Sequence, residues 1–83
     1  MLNLNRRRVL NGAGICTNSL LTIETEHPDH YSIEIISLGG QLIYNTEMDG
    51  TTKQIDMTQF RKGVYFVTVR SKEFVRTEKV IKL

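Results

Sequence analysis

At 83 residues the chain has room for one small domain, of a size that buries roughly 60–65% of its unfolded surface, and this excludes a multidomain enzyme. Its 40% hydrophobic and 24% charged residues are ordinary for a globular domain, and no apolar run approaches the roughly 18 residues of a membrane-spanning helix. The net charge of +2 owes three positive charges to Arg6, Arg7 and Arg8; without them 8 basic residues face 9 acidic ones, and the glutamates scattered along the chain exclude the continuous basic face of a nucleic-acid binder.

The first 16 residues carry little apolar patterning. Asn5-Arg6-Arg7-Arg8-Val9-Leu10-Asn11-Gly12 has the paired arginines of an export signal, but Asn11, Thr17, Asn18, Ser19 and Glu24 interrupt the apolar segment such a signal requires. Residues 1 to 16 are therefore expected to be a basic, disordered arm. Cys16 is the only cysteine, so no intrachain disulfide supports the fold. The polar, arginine-rich stretch before it also lacks the apolar segment of a lipoprotein anchor.

From Leu20 onward, alternation replaces irregularity. Leu21, Ile23 and Thr25 fall on one face of an expected strand, with Leu20, Thr22 and Glu24 on the other. His27-Pro28-Asp29-His30 reads as a turn, because proline has no N–H for a ladder and restricts the residue before it. Tyr31, Ile33 and Ile35 then alternate with Ser32 and Glu34 in a half-buried strand, closed by a tight turn at Leu38-Gly39-Gly40.

The next strand carries Leu42, Tyr44 and Met48 on one face, with Ile43, Asn45 and Glu47 on the other. Asp49-Gly50 is a hairpin signal, and Thr51 to Ile55 a short polar strand whose Lys53 suits a sheet edge. Asp56 to Lys62 connects to Val64-Tyr65-Phe66-Val67-Thr68-Val69-Arg70, the most β-prone segment, expected as a central strand with Tyr65, Val67 and Val69 facing the core. After a turn at Ser71-Lys72-Glu73, Phe74 to Lys82 forms the last strand. Val75 and Thr77 share a face there with Ile81 and Leu83, and Phe74 shares the other with Val80, the pattern of a bulged or two-sided strand. Nothing after residue 20 keeps a helical apolar period. Short strands at roughly ten-residue spacing argue for an all-β fold, a small antiparallel sandwich.

Chemistry is sparse. His27, Asp29 and His30 are metal-ligand types, but three of them within four residues around a proline do not converge on one centre, so no metal and no cofactor are expected. Ser19, Ser32, Ser37 and Ser71 lack a nucleophile motif, no glycine-rich phosphate loop leads into a helix, and no catalytic residue is assigned. The aromatic residues alternate with polar ones, as core and interface side chains do, rather than forming a sugar-stacking platform.

Four segments in order carry a family resemblance: Thr17-Asn18-Ser19-Leu20-Leu21-Thr22-Ile23-Glu24, Leu38-Gly39-Gly40-Gln41-Leu42-Ile43-Tyr44, Ile55-Asp56 with Gly63-Val64-Tyr65-Phe66, and Lys79-Val80-Ile81-Lys82. Together, over residues 17 to 83, they resemble the C-terminal sorting domain of type IX secretion cargo proteins. The resemblance implies an immunoglobulin-like β-sandwich of six or seven strands at the C-terminus of a Bacteroidetes cargo protein. It implies a non-enzymatic sorting signal, read by the outer-membrane type IX machinery after the cargo reaches the periplasm and removed by its cargo-processing peptidase. The destination is then the cell surface or the medium, with the domain itself not embedded in the membrane.

Carried over by position, the resemblance makes Gly40 and Gly63 turn glycines, Tyr65 a packed aromatic, and Lys79, Val80 and Lys82 the terminal signal. It departs from the family where Gly14-Ile15-Cys16 replaces an expected Asn-Pro pair, and the chain reads as a tail detached from its cargo. The last strand is expected to offer an unpaired edge for docking by strand addition, with Lys79 and Lys82 displayed beside Val80 and Ile81. The competing reading is a generic β-sandwich binding or adhesion module for carbohydrate or protein.

Overall fold

The computed structural model describes residues 2–4, 15–17 and 20–83, the last of these with their side chains. The described residues form strands and turns and no helix. In chain order the strands are β1 (Leu2–Leu4), β2 (Ile15–Thr17), β3 (Leu20–Ser37), β4 (Leu42–Asp56), β5 (Gly63–Arg70) and β6 (Val75–Lys82). Hydrogen bonding runs in the order β1-β3-β5-β6-β2, with β4 also paired to β3. The ladders among β3, β4, β5 and β6 and the short β1–β3 pairing are antiparallel. β2 runs parallel to β6, a departure from the all-antiparallel expectation. Of the arm expected over residues 1 to 16, β1 and the Ile15 and Cys16 of β2 are described, as strands; the remainder lies outside the described residues.

Two expected turns are corrected. His27-Pro28-Asp29-His30 does not end a strand, and Asp49-Gly50 does not make a hairpin: each lies inside one long strand, β3 or β4. The reason is visible in the register. β3 and β4 pair from Leu20↔Asp56 to Glu24↔Thr52 and resume at Asp29↔Gly50, so Thr25 to Pro28 face a single β4 residue, Thr51. A proline is tolerated where the ladder asks nothing of its missing N–H. Gly50 supplies φ 106° opposite, a conformation that a bulge demands as readily as a hairpin does.

The interruption also bends the pair. Eighteen residues of straight strand would span about 59 Å at ~3.3 Å per residue, whereas the longest dimension of the molecule is 31 Å. Both long strands therefore turn back near Pro28 and Gly50. The two halves of β3 also have different neighbours: Ile23, Glu24 and Thr25 pair with β1, while Ser32 to Ser37 pair with β5.

This bend gives the molecule two ends. At the bend end lie residues 25–30, Gly50 and the β5–β6 turn, since Ser32 pairs with Arg70 and the Tyr31 and Phe74 rings meet at 5.8 Å. At the turn end lie the β3–β4 turn and the β4–β5 connection, because Ser37 pairs with Tyr65, and Phe60 stacks 5.4 Å from Tyr65 and 6.3 Å from Tyr44.

Odd-numbered residues of β3 and β5 build the core. Leu21, Ile23, Tyr31, Ile33 and Ile35 of β3, Met48 and Ile55 of β4, Tyr65, Val67 and Val69 of β5, and Val80 of β6 bury in one cluster with Met57. The inward facing expected for Tyr65, Val67 and Val69 holds, as does the central place of their strand between β3 and β6. Thr68, on the opposite face of β5, is buried too and shares a 2.9 Å hydroxyl–hydroxyl hydrogen bond with Thr77 of β6.

The β5–β6 ladder runs from Gly63↔Lys82 to Arg70↔Val75 without a register shift. The bulge allowed for in the last strand is absent, and the two-sided reading stands: Val80 and Lys82 face inward, Lys79 and Ile81 outward. Thr51 to Ile55 belongs to an edge as expected, since among the described residues β4 pairs with β3 alone.

Candidate functional site

The connection between β4 and β5 is built residue by residue from its sequence. Asp56 ends β4 and its carboxylate accepts hydrogen bonds from the Thr58 amide at 2.9 Å and the Thr58 hydroxyl at 2.7 Å. An aspartate that bonds the backbone two residues on is a turn-forming device, and these two donors hold its carboxyl below the usual carboxylate range. Met57 is pressed into the core with no exposed surface, and the Phe60 amide closes the turn by donating to the Met57 carbonyl at 3.0 Å.

Gly63 then starts β5 at φ 145°, in open space where an added Cβ would touch nothing within 4 Å. The glycine is required there by backbone conformation rather than by room, since side-chain-bearing residues rarely adopt that angle. Two residues later the Tyr65 ring packs beneath Phe60, and its hydroxyl donates to the Arg61 carbonyl at 2.7 Å. The tyrosine thus ties the strand back to the connection it has just left.

Most of the residues singled out from the sequence converge on this corner. Gly63↔Lys82, Val64↔Ile81, Tyr65↔Val80 and Phe66↔Lys79 are successive rungs of one ladder, so Gly63, Tyr65, Lys79, Val80 and Lys82 share four neighbouring rungs. Gly40 stands one turn away: its amide donates to the Ser37 carbonyl at 2.9 Å, and Ser37 is the β3 partner of Tyr65. Its φ is 93°, the turn conformation expected of it.

The terminal strand departs from expectation in two respects. Lys82 is not displayed: it is 9% exposed, and its Nζ donates to the Leu83 carbonyl at 3.2 Å. The edge of β6 is also not free along Val80 to Lys82, because β2 pairs there, Ile15 with Val80, Cys16 with Ile81 and Thr17 with Lys82. Alternation explains the first point, since Lys82 lies two residues from the buried Val80 and must share its face. The second was invisible because Ile15-Cys16-Thr17 is too short to carry a period. Lys79, the partner of half-buried Phe66, remains exposed.

The sequence reading missed Asp56 as an anchor, whereas Phe60 packs against the core as the reading of the aromatics expected. The Asp-x-Thr spacing was the available signal for that anchor.

The bend end carries the titratable cluster. His30 Nδ1 lies 2.7 Å from Asp49 and Nε2 3.1 Å from Glu47, and the Asp49 hydrogen bond raises the imidazole's pKa above its ordinary value. Among the described residues no group of three or more His, Cys, Asp and Glu side chains converges as a metal site. No helix among them is long and apolar enough to cross a membrane.

Against this geometry, the model of the family described as secretion system C-terminal sorting domain matches residues 17–83. The comparison with curated proteins returns no match.

Proposed function

The chain belongs to the family of secretion system C-terminal sorting domains, and from that premise we propose that it is read as a folded shape whose contact surface is organised by the four rungs joining Gly63–Phe66 to Lys79–Lys82. As a type IX C-terminal sorting signal, the domain serves export across the outer membrane to the cell surface or the medium. The observation that carries the proposal is the gathering of Gly63, Tyr65, Lys79, Val80 and Lys82 on one stretch of ladder, with the Gly40 turn beside it.

Within that stretch the roles divide by burial. Tyr65, Val80 and Lys82 hold the shape from inside, Gly40 and Gly63 set the turns, and Lys79 is the side chain left outside for the machinery to touch. The cargo arrives through the periplasm, the machinery's cargo-processing peptidase acts on the delivered protein, and the domain contributes no catalysis of its own.

The fold we assign to this signal is an immunoglobulin-like two-layer sandwich. The bent β3–β4 hairpin would give its near halves, with β1, to one layer, and its far halves, with β5, β6 and β2, to the other. Three features support it: strands too long for the molecule unless folded over, one core cluster drawing on both halves of β3, and tyrosine hydroxyls tied to upstream carbonyls, a device of such sandwiches.

A reporter directed to the periplasm and fused to the whole chain tests the reading in a host with type IX machinery. Lys79→Glu should retain the reporter in the periplasm with an unchanged melting temperature, while Lys72→Glu, exposed at the other end, should not. Equal surface delivery by both variants would defeat the proposed contact and favour a generic binding module. Deleting Lys79 to Leu83 is a poorer test, because it also removes Val80 from the core and the partner of β2.

A further inference from the structure

Charge and apolar exposure are distributed unequally between the two ends of the sheet. Leu38 is 69% exposed, Leu42 50%, Ile43 40% and Tyr44 39%, all in or just after the β3–β4 turn, whereas the bend end exposes Val75. Leu38 sits at the tip. The Gly39 and Gly40 that follow it are surrounded by open space, with nothing within 4 Å of an added Cβ, so the leucine stands on a narrow convex projection rather than in a groove.

The cations of this end are exposed with it. Arg61 and Lys62 lie in the neighbouring connection, tied to it through the Tyr65–Arg61 hydrogen bond and the Phe60 ring stack, and Lys79 lies on the row that runs Leu42–Ile36–Phe66–Lys79 across the sheet. Asp56, an acid of this end, is turned onto Thr58, and Glu78, next to Lys79, is paired with Arg76 at 3.5 Å. At the bend end the balance is acidic: Glu26, Asp29, Glu47, Asp49 and Glu73 accompany Arg70, Lys72, Arg76 and His30.

We infer that the turn end is a membrane-contacting surface, in which Leu38 and its neighbours enter the headgroup region of an anionic bilayer while Arg61, Lys62 and Lys79 meet its phosphates. An acidic protein surface would be the other class of partner for the cations. The convex tip decides against it, because the core of a protein interface packs as closely as a protein interior, whereas a projecting leucine with an exposed tyrosine behind it and Lys and Arg at the same end is what a lipid interface accommodates. The acidic far end would be repelled from the same surface, which fixes the direction of approach. This surface shares Lys79 with the proposed sorting contact, but its Leu38, Arg61 and Lys62 lie outside that contact and binding to lipid does not depend on export.

Sedimentation of the full chain with vesicles tests it, using phosphatidylcholine with and without phosphatidylglycerol at low salt. Binding is expected only with the anionic lipid. Leu38→Ser and the double variant Arg61→Ser/Lys62→Ser should each reduce partitioning on the order of tenfold, and Lys72→Ser should leave it unchanged. All these positions are exposed, so melting temperatures should match the parent's. Three results would overturn the inference: no vesicle binding with retained binding to polyglutamate, binding unaltered by the turn-end variants, or binding abolished by replacing Arg6, Arg7 and Arg8, which would assign it to the N-terminal segment.

Discussion

The two ends of this small sheet are fastened by the same device and differ in what the device holds. At each end a buried tyrosine packs against a phenylalanine and donates its hydroxyl to the carbonyl four residues upstream: Tyr31 to His27 at 2.6 Å beside Phe74, and Tyr65 to Arg61 at 2.7 Å beside Phe60. At the bend end the lock secures an irregular stretch of β3 in which the register with β4 skips from Glu24↔Thr52 to Asp29↔Gly50. At the turn end it secures the start of β5, whose rungs with β6 carry the residues proposed as the sorting contact. One structural device thus holds an irregular strand at one end and the proposed recognition surface at the other.

The sharpest way to separate the ends is to remove the phenylalanines. Phe60 meets two aromatic rings, Tyr44 and Tyr65, while Phe74 meets Tyr31 alone. Both are partly buried, so Phe60→Ala should cost about 2–4 kcal/mol and Phe74→Ala about 1–2 kcal/mol. Denaturant melts showing the reverse order would mean that the bend, not the corner, limits stability. Val67→Ala, on the central strand, should fall between, at about 1–3 kcal/mol through lost buried methyls.

Replacing the locks themselves should have a smaller effect on stability and an unequal one on export. Tyr31→Phe and Tyr65→Phe each keep the ring and delete one hydrogen bond, a loss of about 0.5–1.5 kcal/mol apiece. If the four rungs are the recognised shape, Tyr65→Phe should lower surface delivery of a fused reporter, and Tyr31→Phe, matched to it in stability, should not. Equal delivery by the two would deny the corner any special part in sorting.

These contrasts also explain what the sequence could and could not reveal. The core of β3 and β5 was legible because Tyr31, Ile33, Ile35, Tyr65, Val67 and Val69 alternate without interruption. The continuity of the long strands was not. Pro28 and Asp49-Gly50 are local punctuation, and a local signal does not distinguish a chain reversal from a bulge; that choice belongs to the register between the two strands. The site was half legible. The turn and core positions of Gly40, Gly63 and Tyr65 followed from turn and strand chemistry and their place in the proposed site from the resemblance, whereas the burial of Lys82 follows from counting two residues on from Val80, a step that the charge of the side chain obscured. The cover provided by β2 is a non-local pairing of a three-residue strand and left no periodic trace.

The smallest expected effect is also the most discriminating, because titration should push the two ends in opposite directions. His30 has its pKa raised by Asp49 first, and further by Glu47 and Asp29. Its ion pairs therefore contribute stability that is fully present below the ordinary imidazole value of about 6.5 and is lost as pH rises through the higher folded value. Asp56 has its pKa lowered by the two Thr58 donors, so its contribution is present above the ordinary carboxylate value and is lost as pH falls through the lower folded one. Both groups are exposed, and the changes should be small. Other groups titrate too, so the readout is a difference between parent and variant. The parent's advantage in melting temperature over His30→Gln should shrink on the alkaline side of neutrality, and its advantage over Asp56→Asn should shrink only in acid. A His30→Gln difference that stays constant from pH 5 to pH 9 would show that the contacts with Asp49 and Glu47 do not hold the bend in solution.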